Sequence, residues 1–200
     1  MIHSLILSDR RNNQYKTLGI LIFIIYPILS FPFILKGILK RERWAYLLGA
    51  ILMGYIGMLY PPAGDMYRYA EDFNLYKELD WEYFWIFMAL KFDYFLPLLS
   101  WILGKLGAYP ESTRFLFVAC SYYLLLDLYH DITLSNKDMT RRTRVYSLIL
   151  LVPLTFSIYL FRMGFAQVVL VYGIYWFLMK NRTLSKILCK WKQDSAVSLF

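Results

Sequence analysis

The chain has 200 residues, of which 59% are hydrophobic and only 18% charged, below the roughly 25% charge of soluble domains, so a water-soluble globular domain is a poor fit. Its formal charge of +8 is spread over short basic runs between apolar stretches, a pattern that suits loops beside a membrane and excludes nucleic acid as the expected partner. The composition predicts an all-α protein, a single polytopic membrane domain over residues 1–200 with about six transmembrane helices and one short interfacial amphipathic helix. Cys120 and Cys189 have no metal-ligand spacing and read as free thiols, and no metal or cofactor is expected.

The first span is predicted near 18–35, an uncharged run in which Pro27 and Pro32 would act as kinks. It follows Arg10, Arg11 and Lys16 and, with no small-residue cleavage site after it, reads as retained. After the basic run Lys36 to Arg43 comes a second span near 44–60, where Ala50 and Gly54 form a small-xxx-small face for close helix contact. Residues 61–82 form the one acidic segment, with Asp65, Glu71, Asp72, Glu78, Asp80 and Glu82 against Arg68 and Lys77. At helical spacing Met66, Tyr69, Ala70 and Phe73 share one face and Asp65, Arg68 and Asp72 another, which predicts a helix lying on the membrane.

Residues 83–104, interrupted by Lys91 and Asp93, read as one irregular, tilted span or as a re-entrant element, and clearer spans are predicted near 114–131, 145–161 and 163–179, with a basic tail over 180–200. The basic runs 36–43 and 137–144 and the tail all belong on the cytoplasmic side and the acidic segment on the other, which requires an odd number of crossings between residues 83 and 131. Under that count Arg10, Arg11 and Lys16 fall on the wrong side, so the charges leave the orientation open.

Candidate chemistry gathers at three places. Gly64 to Tyr69 puts a carboxylate (Asp65), a guanidinium (Arg68) and two phenols (Tyr67, Tyr69) on the first turns after the second span, with Asp72 one turn on. A carboxylate can take a proton from a sugar hydroxyl, a guanidinium grips phosphate through two N–H groups, and a tyrosine ring stacks on a sugar face. An interfacial helix whose charges reach to headgroups accounts for the same residues. Arg162 stands alone between apolar stretches, either in a tight turn or buried in a bend, with Gln167 nearby as a hydrogen-bonding residue or helix-contact glue. Asp93 is a candidate partner for either arginine or an interfacial charge, and Asp127, His130 and Asp131 mark a water boundary or a proton path. No nucleotide-binding glycine loop or hydrolase motif appears.

Three segments resemble the EpsG family, which includes the Wzy-type O-antigen and capsule polysaccharide polymerases. They are Gly64-Asp65-Met66-Tyr67-Arg68-Tyr69, Phe92-Asp93-Tyr94-Phe95-Leu96-Pro97-Leu98-Leu99 and Phe161-Arg162-Met163-Gly164-Phe165-Ala166-Gln167, similar to the family's Gly-x-Asp element, its Glu-aromatic-Leu-Leu segment and its Arg-x-x-x-Ala element. Asp65 follows Gly64 directly and Asp93 stands where the family carries Glu; members are longer, so a truncated member is expected. The resemblance implies a multi-pass protein of the bacterial inner membrane that joins undecaprenyl-diphosphate-linked oligosaccharide repeat units. The bilayer, a chain-length regulator and a flippase would be its partners. It implies Asp65, Arg68 and Arg162 as catalytic residues and Tyr67, Tyr69, Asp72, Asp93 and Gln167 as substrate-binding ones. The competing classes are a lipid-linked glycan transporter or flippase, and a non-catalytic subunit or inactive fragment.

Overall fold

The computed structural model describes residues 2–60, 65–89, 94–135, 139–154 and 161–180, and within these the side chains at 2–13, 65, 135, 141, 150–154, 161, 162 and 180 lie outside the description. Every regular element among the described residues is helical, as the composition predicts. They are α1 (Ile2–Ile25), a 3₁₀ turn (Pro27–Ser30), α2 (Phe31–Leu39), α3 (Arg43–Leu59), α4 (Asp65–Glu78), α5 (Trp81–Met88), α6 (Phe95–Lys105), α7 (Pro110–Ser135), α8 (Arg141–Leu154) and α9 (Phe161–Lys180). Among the described residues one helix, Pro110–Leu134 with 25 residues, is long and apolar enough to cross a membrane.

The stretch 18–35 is two antiparallel limbs, which corrects the single kinked span predicted there. Proline disfavours helical backbone at the residue before it, and Tyr26 accordingly leaves the helix at φ −151° and ψ 89°. Pro27 then opens the 3₁₀ turn, and α2 runs back along α1. The Tyr15 ring lies 5.0 Å from the Phe33 ring, and Lys36 Nζ sits 4.2 Å over Tyr15. Eighteen residues of straight helix would put Tyr15 and Phe33 about 27 Å apart. Ile24, Ile25, Ile28 and Leu29 at the bend are exposed. The Tyr15 phenol is pushed upward by burial and by the Glu42 charge.

The main pairing is α3 against α7, antiparallel. Gly49, Gly54 and Gly57 form the contact stripe, and the predicted small face at Ala50 and Gly54 lies within it. A Cβ on Gly54 would stand 2.9 Å from the Phe115 ring and 3.0 Å from Ala119 Cβ, so the absent side chain sets how closely the helices approach. One cluster on this seam joins Ile34 and Ile38 of α2 to Ala45, Tyr46 and Leu52 of α3 and Leu126 and Tyr129 of α7.

The acidic segment does form a helix. Its stripe Met66, Tyr69, Phe73 and Tyr76 turns inward, with Met66, Phe73 and Tyr76 buried. Helix α4 runs parallel to α6: Met66 and Leu96 share a cluster near their starts, while Lys77 presses on Gly104 near their ends. The chain returns between them through α5, which docks Phe84 and Met88 on Tyr76. Trp101 Nε1 donates to the Leu79 carbonyl at 3.0 Å and closes this three-helix unit. The described residues within 83–104 thus belong to two short helices, α5 and α6, of a packed unit.

Helix α7 extends from Pro110 to Ser135, past both ends of the predicted 114–131 span. Its end meets the start of α8, where Tyr129 Oη donates to the Arg144 carbonyl at 3.3 Å. Helix α9 runs parallel to α7, since Phe165 meets Phe117 while Tyr172 meets Asp127. The molecule thus has two ends: one holds the α2–α3 turn, the end of α7 and the start of α8, the other the end of α3 and the start of α9.

Candidate functional site

At the second end, five helices contribute to one apolar cluster. Met66 is the second residue of α4, Leu96 the second of α6 and Phe165 the fifth of α9, and they gather with Phe117, Val118 and Tyr122 of α7 and Ala50 of α3. Phe117 receives Phe95 at 6.0 Å and Phe165 at 5.1 Å, both edge to face. The apolar anchors near the start of each helix thereby draw the first turns of α4, α6 and α9 together. The start of each of these helices is the positive end of a helix dipole, an environment that favours anions.

The centre of this end is Arg114, 5% exposed, from the first turns of α7. Its Nη1 donates to the Tyr60 carbonyl at 2.9 Å and to Met66 Sδ at 3.2 Å, and its Nη2 donates to the Met58 carbonyl at 3.2 Å. The two carbonyls belong to the end of α3, so the guanidinium caps that helix and at once holds the start of α4. Arg114 Nε and the neighbouring Thr113 Oγ1 are buried without a hydrogen-bond partner among the described residues. Sequence reasoning treated Arg114 only as the edge of a span; the signal it carried was an arginine four residues into an apolar helix.

Of the residues singled out in the sequence, Asp65 begins α4 and Arg162 is the second residue of α9, so their backbones lie at this end, three residues or fewer from Met66 and Phe165; both side chains fall outside the described residues. Tyr67 and Arg68 are exposed on α4, Tyr69 packs partly against the cluster, and Asp72 is half-buried. Gln167 is exposed on α9. Asp93 falls outside the described residues.

The trio Asp127, His130 and Asp131 lies inside α7 and not at its end. Asp127 Oδ2 accepts from Tyr172 Oη at 2.6 Å, and buried His130 meets Tyr46 Oη through Nδ1 at 3.1 Å. These two pairs tie α9 and α3 to α7 and satisfy polar atoms within the helical seam. Compared with protein-family models, curated proteins and solved structures, the chain finds no match in any of the three.

Proposed function

We propose that this chain is a multi-pass membrane protein of the polysaccharide-polymerase kind, joining oligosaccharide units carried on a lipid diphosphate. The observation that carries the reading is that two of the three family-like segments begin α4 and α9, and both helices start at the buried-arginine end.

In a bilayer, α3 crosses from the basic α2–α3 turn and α7 returns. Helix α8 then leads back from the basic side and α9 returns to it, while α1 and α2 enter and leave on one side. This path puts Lys16, the run Lys36 to Arg43, Arg142 and Arg144 on one side and the acidic α4 on the other, as the positive-inside rule asks. It also removes the conflict over the N-terminal charges, because a hairpin makes no crossing. Cysteines placed singly at Lys16, Lys40 and Glu71, in a chain with Cys120 and Cys189 replaced, should react with an impermeant maleimide at 16 and 40 from one side and at 71 from the other. Reaction of 16 and 71 from the same side would refute the hairpin topology.

Transfer breaks the bond between the donor sugar's C1 and the diphosphate oxygen and forms one from C1 to an acceptor hydroxyl oxygen. The hydroxyl proton goes to a base, and the electron pair of the broken bond leaves with the diphosphate. Asp65 is assigned to take the proton, and Arg68 and Arg162, beside the starts of α4 and α9, to hold the departing anion. Tyr67 and Tyr69 offer ring faces to sugars, and Asp72, Asp93 and Gln167 supply further polar contacts.

The test is a gel of surface glycan from cells lacking the gene, then supplied with the intact gene or with Arg162→Ala. Deletion should collapse the ladder to a single repeat unit, the intact gene should restore it, and the variant should restore less than about a hundredth, as losing one charge-stabilising donor implies. A ladder unchanged by deletion would overturn the reading.

A further inference from the structure

We infer that Arg41 and Arg144, at the end opposite the candidate site, form an interhelical seat for the phosphate headgroup of an anionic phospholipid. This rests on the membrane part of the proposed reading and not on the polymerase chemistry.

The first observation is backbone strain. Arg41 has φ +64°, the one positive φ at a non-glycine among the described residues. It occupies the left-handed position that closes α2, where Arg41 N donates to the Ile38 carbonyl at 2.9 Å and Glu42 N donates to the Gly37 carbonyl at 3.0 Å. Glycine suits this position best, and an arginine there is strained. A strained residue held in place by its surroundings points to a task for the side chain.

The second observation is what the guanidinium groups lack. Arg41 Nε and Arg144 Nε are both buried with no hydrogen-bond partner among the described residues, although an N–H of a charged group removed from water needs an acceptor. The two lie together: Arg144 Nη1 donates to the Leu39 carbonyl, two residues before Arg41, at 3.3 Å, and both charges act on the Tyr129 phenol. Carboxylates are nearby, since Glu42 accepts from Trp44 Nε1 and Asp127 from Tyr172, but each of these engages another group.

The third is charge. Lys36, Lys40, Arg41, Arg43, Arg142 and Arg144 collect at this end against Glu42, Asp127 and Asp131. A phosphodiester offers several acceptor oxygens in the geometry a guanidinium fork matches, and anionic lipid enriches the bilayer face on which basic loops lie.

The experiment compares the full chain in nanodiscs of phosphatidylcholine with and without phosphatidylglycerol, reading the unfolding midpoint and, by native mass spectrometry, the retained phosphatidylglycerol. Phosphatidylglycerol should raise the midpoint by about 4 °C. Arg41→Gly should keep or raise the midpoint in pure phosphatidylcholine, because it relaxes the backbone, yet lose the phosphatidylglycerol shift and about tenfold in retained lipid. Arg142→Gln, an exposed charge at the same end, should keep the shift. A shift surviving in Arg41→Gly, one lost equally in Arg142→Gln, or none in the natural chain would each overturn the proposal. So would inorganic phosphate in detergent reproducing the shift, which would assign the seat to a soluble anion. A chain that does not enter nanodiscs would overturn the membrane reading itself, whereas one that enters without a phosphatidylglycerol shift overturns only this seat.

Discussion

Arg114→Met should lower stability by about 3 kcal/mol, because it removes the two charge-assisted hydrogen bonds that the guanidinium donates to the Met58 and Tyr60 carbonyls at the buried end of α3. The methionine fills much of the space, so the loss is mainly electrostatic and hydrogen-bonded. Arg114→Lys keeps the charge but replaces the planar fork with a single point of donation, and it should recover about half of the loss. Thermal or denaturant unfolding of the purified chain measures both. A second readout follows from the Met66 contact: with the guanidinium gone, the first turn of α4 loses a tie to α3, so amide exchange should speed up at Tyr67 to Tyr69 before it does in α7. Equal exchange in the two helices would show that Arg114 does not hold α4.

Gly54→Leu should cost as much or more. The first added carbon already stands 2.9 Å from the Phe115 ring and 3.0 Å from Ala119 Cβ, so the helices must separate or the ring must turn before the rest of the leucine is accommodated. Overpacking of a close-packed seam costs about 1–3 kcal/mol, and forcing α3 off α7 also loosens the packing of Gly49 and Gly57 farther along the stripe. Because the clash is with a single named ring, Gly54→Leu/Phe115→Ala should be more stable than the sum of its parts by about 1 kcal/mol. Gly173 is the matching control: among the described residues nothing lies within 4 Å of its Cβ position, so Gly173→Ala should be neutral or gain up to about 1 kcal/mol of helix propensity. Unfolding midpoints of the four variants decide it.

The seam was legible because a stripe of glycine and alanine at helical spacing has one physical use, the close approach of a neighbour. The α4 helix and its apolar face were legible for a similar reason, since Met66, Tyr69, Ala70 and Phe73 share one face at helical spacing, but the sequence turned that face toward the membrane, whereas the structure buries Met66 and Phe73 and adds Tyr76 to the packed stripe. The hairpin was not, because an apolar run has the same hydropathy whether the chain continues or doubles back, and a proline that ends a helix in water is tolerated as a kink in lipid. Pro27 decides it here through the residue before it, whose extended backbone starts the reversal. Arg114, Asp127 and His130 misled for a common reason. A charged or titratable side chain near the end of an apolar run usually marks the water boundary, and these lie inside helices because Tyr60, Tyr172 and Tyr46, distant in sequence, supply their partners. Such pairs become visible only once the helices are packed. For the candidate site, the sequence located Asp65 and Arg162 at the starts of helical segments but gave no sign that the two starts share a cluster, since they stand 97 positions apart.

The folded-back α1–α2 pair also bears on how the chain is made. A first crossing usually fixes the orientation of everything after it as a protein leaves the ribosome, and the residues that flank it are read for charge. In the bilayer arrangement proposed above, a pair of limbs that returns to its starting side would give no such instruction. In that arrangement the task would pass to α3, which has Lys36, Lys40 and Arg41 before it, Arg43 at its start and the acidic α4 behind it. The first forty residues would then settle into place after the decision has been taken, and orientation would rest on the contrast in charge across a single helix of 17 residues.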